Sequence, residues 1–433
     1  MSKITSWQLP CLKYLYHRVI MAKVFPFQAV RPTRDKVNLI AARPYDSYTP
    51  EERASRLRDN PYSFLHIVNP GYKYQKENTT EQERYTLVRN RYLEFKDENY
   101  FIQDKKPSFY VYKIVDHDGQ TTRGIIATVD IEGYENNTIK KHEDTLIERE
   151  KLFKEYIHTV GFNPEPVLLT YPDNDTLTRM IQEIMKSRAE YEFTTTYRDT
   201  HYLWNIDDPK LVAAIKGEFD KLDSLYIADG HHRTASAYEL YKLKKEANGT
   251  HTGKESYNFL MSYLIPESDL KIYGFNRLIK DLNGLSNEEF LIRLDAIFRI
   301  NNRGLEYYKP TQKNHFSMYL NGKFYSLNLR KNIYAENNAL DALDATILYN
   351  TVLNPILGIE DVRNDKRLDY AHGKNDMAYV QSMVDSGEYR VGFGLLPVTT
   401  EEIKRVADEG LTMPPKTTYI EPKLRNGITI YEY

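Results

Sequence analysis

From Leu225 to Ala235 the chain reads Leu-Tyr-Ile-Ala-Asp-Gly-His-His-Arg-Thr-Ala, a short apolar strand that runs into polar residues opening a helix. Asp229, His231, His232 and Arg233 can each bond an anion or a metal ion, and Gly230 lets the backbone come close to a ligand. The first N–H groups of a helix, a guanidinium and two imidazoles then converge on one spot, which is how a chain holds phosphate. Cationic side chains in a first helical turn oppose the helix dipole, so their presence there calls for an anion. The competing reading makes Asp229 a simple N-cap and the histidines partly buried polar residues.

Two further clusters carry chemistry. Lys141-His142-Glu143 precedes a pattern in which Glu143, Leu146, Glu150, Phe153, Ile157 and Val160 recur at helical steps, which predicts a helix from Lys141 with Glu143 on its apolar side. A carboxylate so placed needs a reason, because an unpaired buried charge is expensive. In Met413-Pro414-Pro415-Lys416-Thr417-Thr418-Tyr419, two prolines stiffen the backbone ahead of an ammonium and two hydroxyls. These could hold a phosphate or carboxylate, or form a rigid surface turn. Gly249–Glu255 imitates a P-loop but has one residue too few between its glycines and Glu255 where a metal-binding Ser or Thr must stand. GxGxxG, HExxH and G-x-S-x-G are all missing.

The elements that must position these residues read as an α/β chain with mixed sheets. Strand-like runs fall at Lys36–Ala42, Phe64–Val68, Pro166–Tyr171, Tyr191–Tyr197, Tyr257–Ile265, Tyr389–Leu396 and Ile428–Tyr431. Hairpins are expected around Asp118-Gly119 and Asn321-Gly322. Helices are expected from Pro50, where Thr49 would cap, and over Thr80–Asn99, Asp175–Arg188, Pro209–Leu222, Thr234–Ala247, Leu340–Leu353 and Thr400–Asp408. Asp46 either caps the turn before Thr49 or binds a substrate amine.

Composition narrows the function classes. The 433 residues exceed what one core of about 250–300 residues holds, so several lobes are expected. We divide them into a dispensable extension (1–20), an N-terminal α/β region (21–135), a nucleotide-binding core (136–265) and a C-terminal α/β region (266–433). Lys and Arg number 59 against 61 Asp and Glu, a net charge of −2 that provides no global drive toward nucleic acid or anionic membrane. One cysteine, Cys11, excludes an internal disulfide framework and points to a reducing cytoplasm. The longest apolar runs are too short to span a bilayer. The 36 tyrosines and 17 phenylalanines read as amphipathic core-edge residues rather than a base-stacking surface.

Taken together and in order, Lys141-His142-Glu143, Asp229-Gly230-His231-His232-Arg233 and Pro415-Lys416-Thr417-Thr418 resemble the archaeal free-serine kinases of the ParB/sulfiredoxin-like superfamily. Over residues 24–433 the chain is similar to a widespread prokaryotic family of proteins of unknown function, which also carries lines such as Ala42-Arg43-Pro44-Tyr45-Asp46. The resemblance implies a ParB/sulfiredoxin-like core with additional N- and C-terminal α/β regions. It implies a kinase that moves a phosphoryl group from ATP or ADP to the hydroxyl of free L-serine. Glu143 would be the base and Asp229 the Mg²⁺ ligand. His231, with a catalytic part, would cradle phosphate together with Gly230, His232, Arg233, Lys416, Thr417 and Thr418. His142 and Asp46 are the candidates for substrate contact. The alternative is a nucleotide-binding, ParB-like regulatory or DNA-associated protein without turnover, against which the near-neutral charge and missing helix-turn-helix speak. The oligomeric state is open.

Overall fold

Nine strands of one mixed sheet carry the candidate residues. They are β1 (Val24–Phe25), β2 (Phe109–Val115), β3 (Thr121–Asp130), β4 (Ile139–Lys140), β5 (Val167–Tyr171), β6 (Tyr191–Thr194), β7 (Thr200–Ile206), β8 (Leu225–Asp229) and β9 (Phe259–Pro266). This computed structural model describes residues 21–69, 80–371 and 376–433. The expected extension at 1–20, Cys11 with it, lies outside the described residues.

Across the sheet the order is β4-β8-β5-β9-β3-β2-β7-β6, with β1 paired to β3. β8 runs parallel to β4 and β9 parallel to β5, while the other pairs are antiparallel. Both faces are covered. Ile227, Leu169, Leu264, Ile125 and Val111 enter one core, and Ala228, Leu168, Tyr263, Ile126 and Tyr110 enter the other. Strands buried on both sides read as continuous apolar runs, which is why β5, β8 and β9 stood out in the sequence. β2 and β3 form the hairpin expected at Asp118-Gly119, with Gly119 at φ 79°. They hydrogen-bond into the sheet beside β9, so the boundary drawn at 135/136 falls inside one sheet.

A second sheet, ordered 298–304, 323–329, 315–320, 391–394, 276–279, 368–371, lies wholly within the C-terminal region. Its hairpin turns at Asn321 and Gly322, both with positive φ, as expected. Capping boxes at Thr49/Glu52, Thr80/Glu83 and Thr399/Glu402 start the helices Pro50–Asp59, Glu81–Asp97 and Thr400–Asp408. Among the described residues no helix is long and apolar enough to cross a membrane.

Two expected strands are helical instead. Val37–Ile40 and Leu65–Val68 form single helical turns, held together where Asn60 Nδ2 donates to the Leu39 carbonyl at 2.7 Å and the His66 ring meets the Asn60 carbonyl at 2.9 Å. Short apolar runs carry too few residues for periodicity to separate strand from helix. β7 was not foreseen. It pairs with both β2 and β6, and Thr200, His201 and Asn205 dilute its apolar pattern; the buried His201 ring finds its partners, Tyr112 and Arg425, only in the fold. The helix expected over Leu340–Leu353 is α-helical at Asp344–Leu348 and continues as a π-helical turn to Leu353.

Gly124 reports on the packing of β3 against β9, because an added Cβ would stand 2.2 Å from the Leu264 carbonyl oxygen and 2.7 Å from Ile265 Cγ2. Gly124→Ala is expected to lower stability by about 1–3 kcal/mol through forced separation of the two strands. A drop in midpoint in a circular-dichroism thermal melt checks it.

Candidate active site

β8 delivers Asp229 at its C-terminal end, and Gly230, at φ 105° and ψ 30°, turns the chain into the helix His231–Ala247. Only glycine adopts this backbone cheaply, and a Cβ would also meet Val167 Cγ2 and Arg233 Nη2, each at 3.2 Å. Gly230 occupies the N-cap position, so the helix has no side-chain cap and Asp229 is not its cap. The first helical bond runs from Thr234 N to the Gly230 carbonyl at 2.9 Å. The N–H groups of His231, His232 and Arg233 therefore have no protein acceptor among the described residues, which leaves three aligned donors at the positive end of a dipole.

Asp229 and Arg233 form a clamp. Arg233 Nη2 donates to Asp229 Oδ2 at 3.1 Å, while Nη1 donates to the carbonyls of Glu165 at 3.2 Å and Pro166 at 3.0 Å and faces Glu165 Oε1 at 3.0 Å. The guanidinium is thus turned back onto the start of β5. There it holds the helix end in place. Lys423 Nζ donates to Asp229 Oδ1. Burial works against the Asp229 charge, but Lys423 and Arg233 outweigh it and hold the carboxyl below its usual range. Burial pushes Glu165 up in spite of Arg233, and the Asp46 carboxylate adds to the rise.

Glu143 lies in an extended segment after β4, because the helix begins only at Ile147. The expected helix start at Lys141 is therefore corrected, and with it the apolar-face argument: Leu146 is 48% and Phe153 41% exposed. Tertiary partners place the carboxylate instead. Thr418 Oγ1 donates to Glu143 Oε1 at 3.2 Å, and His231 Nδ1 stands 3.5 Å from Oε2. The His142 amide donates to His231 Nε2 at 3.4 Å, which puts the His231 proton on Nδ1, facing Glu143. His231 is thus a buried support against the Glu143 carboxylate. Burial drops His142 and His231 to about 3, so both rings are neutral. Their centroids lie 4.5 Å apart in an edge-to-face contact.

Two cation sites can be tested against these groups. His142, Glu143 and His231 offer ligand atoms within 4.8 Å of one another. Ligation would need a lone pair on His231 Nδ1, where the amide contact leaves the proton, so the triad suits hydrogen bonding to Glu143 better than a metal. Magnesium takes oxygen ligands, usually one or two carboxylates plus substrate phosphates. Asp229 provides such oxygens beside the three free N–H groups, and its Lys423 partner, held by a single hydrogen bond, is displaceable. That donor set fits Mg²⁺.

The C-terminal segment closes the site. Met413 N donates to the His142 carbonyl at 2.8 Å and Thr412 Oγ1 to Asp144 Oδ2 at 3.1 Å, so residues 412–418 dock along 142–144. Of the three residues singled out there, only Thr418 reaches the site. Thr417 is buried and donates to the Pro414 carbonyl at 2.6 Å. Lys416, at φ 57°, is exposed, and its ammonium lies over the Phe275 ring at 5.5 Å. His232 is half-buried beside Arg149, Glu143 and Glu150, and burial lowers it. Asp46 sits in the exposed turn Tyr45–Ser47 and caps nothing, since Thr49 caps the following helix. Lys423 and Glu165 were missed. A lone lysine or glutamate in a loop has no pattern to betray it.

A family described as "Protein of unknown function (DUF1015)" matches residues 24–346, and the chain belongs to it. No curated protein matches. Among solved structures, a conserved hypothetical protein from Pyrococcus furiosus aligns at 16% identity and a TM-score of 0.34, over 70% of this chain and 94% of that one. A free serine kinase in complex with AMP aligns at 16% identity and 0.33, over 70% and 91%. SbnI with a C-terminal truncation, from Staphylococcus aureus, aligns at 13% identity and 0.36, over 70% and 85%. Alignments this loose leave the functional argument to the residues of the chain itself.

His142, His201 and Arg425-bonded surroundings give the fold an acid limit: burial lowers His142, His201 and His231 each to about 3, against 6.5 for a free histidine. Between those values the unfolded chain binds more protons than the folded one. Their contribution is therefore fully present above pH 6.5 and is lost as pH falls toward 3, at up to about 1.4 kcal/mol per pH unit for each ring. Urea unfolding from pH 7.5 to 4.5 should show falling stability, with a shallower slope in His201→Gln.

Proposed function

We propose that this DUF1015 protein transfers a phosphoryl group from ATP or ADP to the hydroxyl of free L-serine or a similar small alcohol. The observation that carries the reading is the half-exposed Glu143 carboxylate, oriented by His231 and Thr418 and set beside an uncapped helix end with three free N–H groups. A poised base next to an anion cradle is what transfer to an alcohol requires.

In the reaction, the acceptor oxygen forms a bond to the terminal phosphorus while its proton passes to Glu143. The bond from that phosphorus to the bridging oxygen breaks, and the shortened nucleotide leaves with the electron pair. The His231 ring, kept neutral by burial, stands against Glu143 Oε2 and supports the orientation of that carboxylate. The amides of His231, His232 and Arg233 meet the charge spread over the equatorial oxygens. Mg²⁺, when bound through Asp229, would neutralise charge on the phosphate chain. Lys423, released from Asp229, would be a further donor to the same oxygens. Arg233 serves by holding Asp229 and the helix end.

Glu143→Gln is expected to keep nucleotide affinity within about threefold and to lose about 10²–10⁴ in transfer rate. Arg233→Ala should lose both binding and transfer, because the clamp goes. Purified protein would be incubated with Mg²⁺, ATP or ADP, and amino acids or small alcohols, and products read by mass spectrometry for one added phosphoryl group. Bound nucleotide with no acceptor phosphorylated would replace the kinase by the nucleotide-binding regulatory reading.

A further inference from the structure

Arg277 is buried in the second sheet with 4% of its surface exposed, yet among the described residues no carboxylate pairs with it. It faces Tyr370 across the strand pair 276–279/368–371, with the guanidinium 5.4 Å from that ring. Asp369, the sheet's nearby acid, pairs with Leu278 in register and so lies on the opposite face, where Lys280 and the Tyr389 hydroxyl engage it. Arg277 Nη1 donates to the Phe275 carbonyl. Its other N–H groups make no hydrogen bond, although they are not sealed from solvent. Burying a guanidinium without a counter-charge is costly, and such charges are ordinarily paired.

A second cation converges on the same residue. Lys416, held in left-handed backbone, lays its ammonium over the Phe275 ring and likewise has no carboxylate partner among the described residues. Tyr419 packs edge-on to Phe275 at 6.0 Å and pairs in register with Tyr273. Thr418 and Tyr419 are consecutive in an extended segment, so their side chains point to opposite sides. Glu143 is met on one side and the Arg277 cluster on the other.

We propose that Arg277, which donates to the Phe275 carbonyl, and Lys416, whose ammonium lies over the Phe275 ring, form an oxyanion-binding site for the phosphate or carboxylate group of a small ligand, separate from the Glu143 site. Arg277 supplies the preorganised planar donors and Lys416 the exposed charge that draws the anion in. The inference does not rest on the phosphotransfer reading.

The test is a thermal melt of the full chain in inorganic phosphate and, separately, in acetate, against sodium chloride of equal ionic strength. Phosphate or acetate should raise the wild-type midpoint by at least about 2 °C, and the more effective anion names the class of ligand. Any phosphate held at the Gly230 helix end contributes to both wild type and variants. The decisive quantity is therefore the part of the rise that Arg277→Met removes, which should be half or more. Lys416→Ala, at an exposed position that cannot unfold the protein, should remove a smaller part. A rise that is the same in Arg277→Met as in wild type, or no rise with either anion, overturns the proposal. Neither result bears on whether Glu143 accepts a proton.

Discussion

Everything at the candidate site hangs on the Arg233 clamp. One guanidinium ties the first turn of the site helix to the Asp229 carboxylate at the end of β8 and to two carbonyls and a carboxylate at the start of β5. Its planar fork holds several acceptors in fixed directions, which the freely rotating ammonium of a lysine does not. Because Gly230 leaves the helix uncapped, this side chain, and not a cap, fixes where the free N–H groups point. Removing it would leave the largely buried Glu165 without its salt-bridge partner, a kind of loss that costs about 3–5 kcal/mol.

A second constraint is the return of the C-terminal segment. Glu143 and Thr418 are brought together by the hydrogen bonds of Met413 and Thr412 to the 142–144 backbone and side chains. The surroundings of Glu143 are thus assembled from segments 275 residues apart in sequence. Its support from below is neutral because burial leaves His231 and His142 uncharged, so the carboxylate is oriented without being held as one half of an ion pair. The same segment, one residue further on, carries Tyr419 to the opposite side and links the site to the second sheet through Phe275.

Much of the scaffold was legible. β5, β8 and β9 read as strands because both sheet faces are covered, and the helices at Pro50, Glu81 and Thr400, expected from the sequence, each start at a capping box. The strand-to-helix turn at Asp229-Gly230-His231 was visible from residue types alone. Val37–Ile40 and Leu65–Val68 were misread because four residues cannot display a period, and β7 was missed because polar residues interrupt it, among them His201, whose partners Tyr112 and Arg425 are distant in sequence. Glu143 was singled out for a reason the fold does not support: its neighbours Leu146 and Phe153 face solvent.

By itself the amino-acid sequence determined where an uncapped helix end must form, since local backbone preferences and a glycine suffice for that. It also determined the alternation of elements that makes the fold α/β. Which side chains face that helix end was decided by tertiary structure. Arg233 turns away, His231 goes beneath the carboxylate, Thr418 reaches it while Lys416 does not, and Lys423 arrives from the far end of the chain. Residue type dictates what a group can bond, but the partner it bonds depends on which segments pack together, and that is settled by burial over the whole chain.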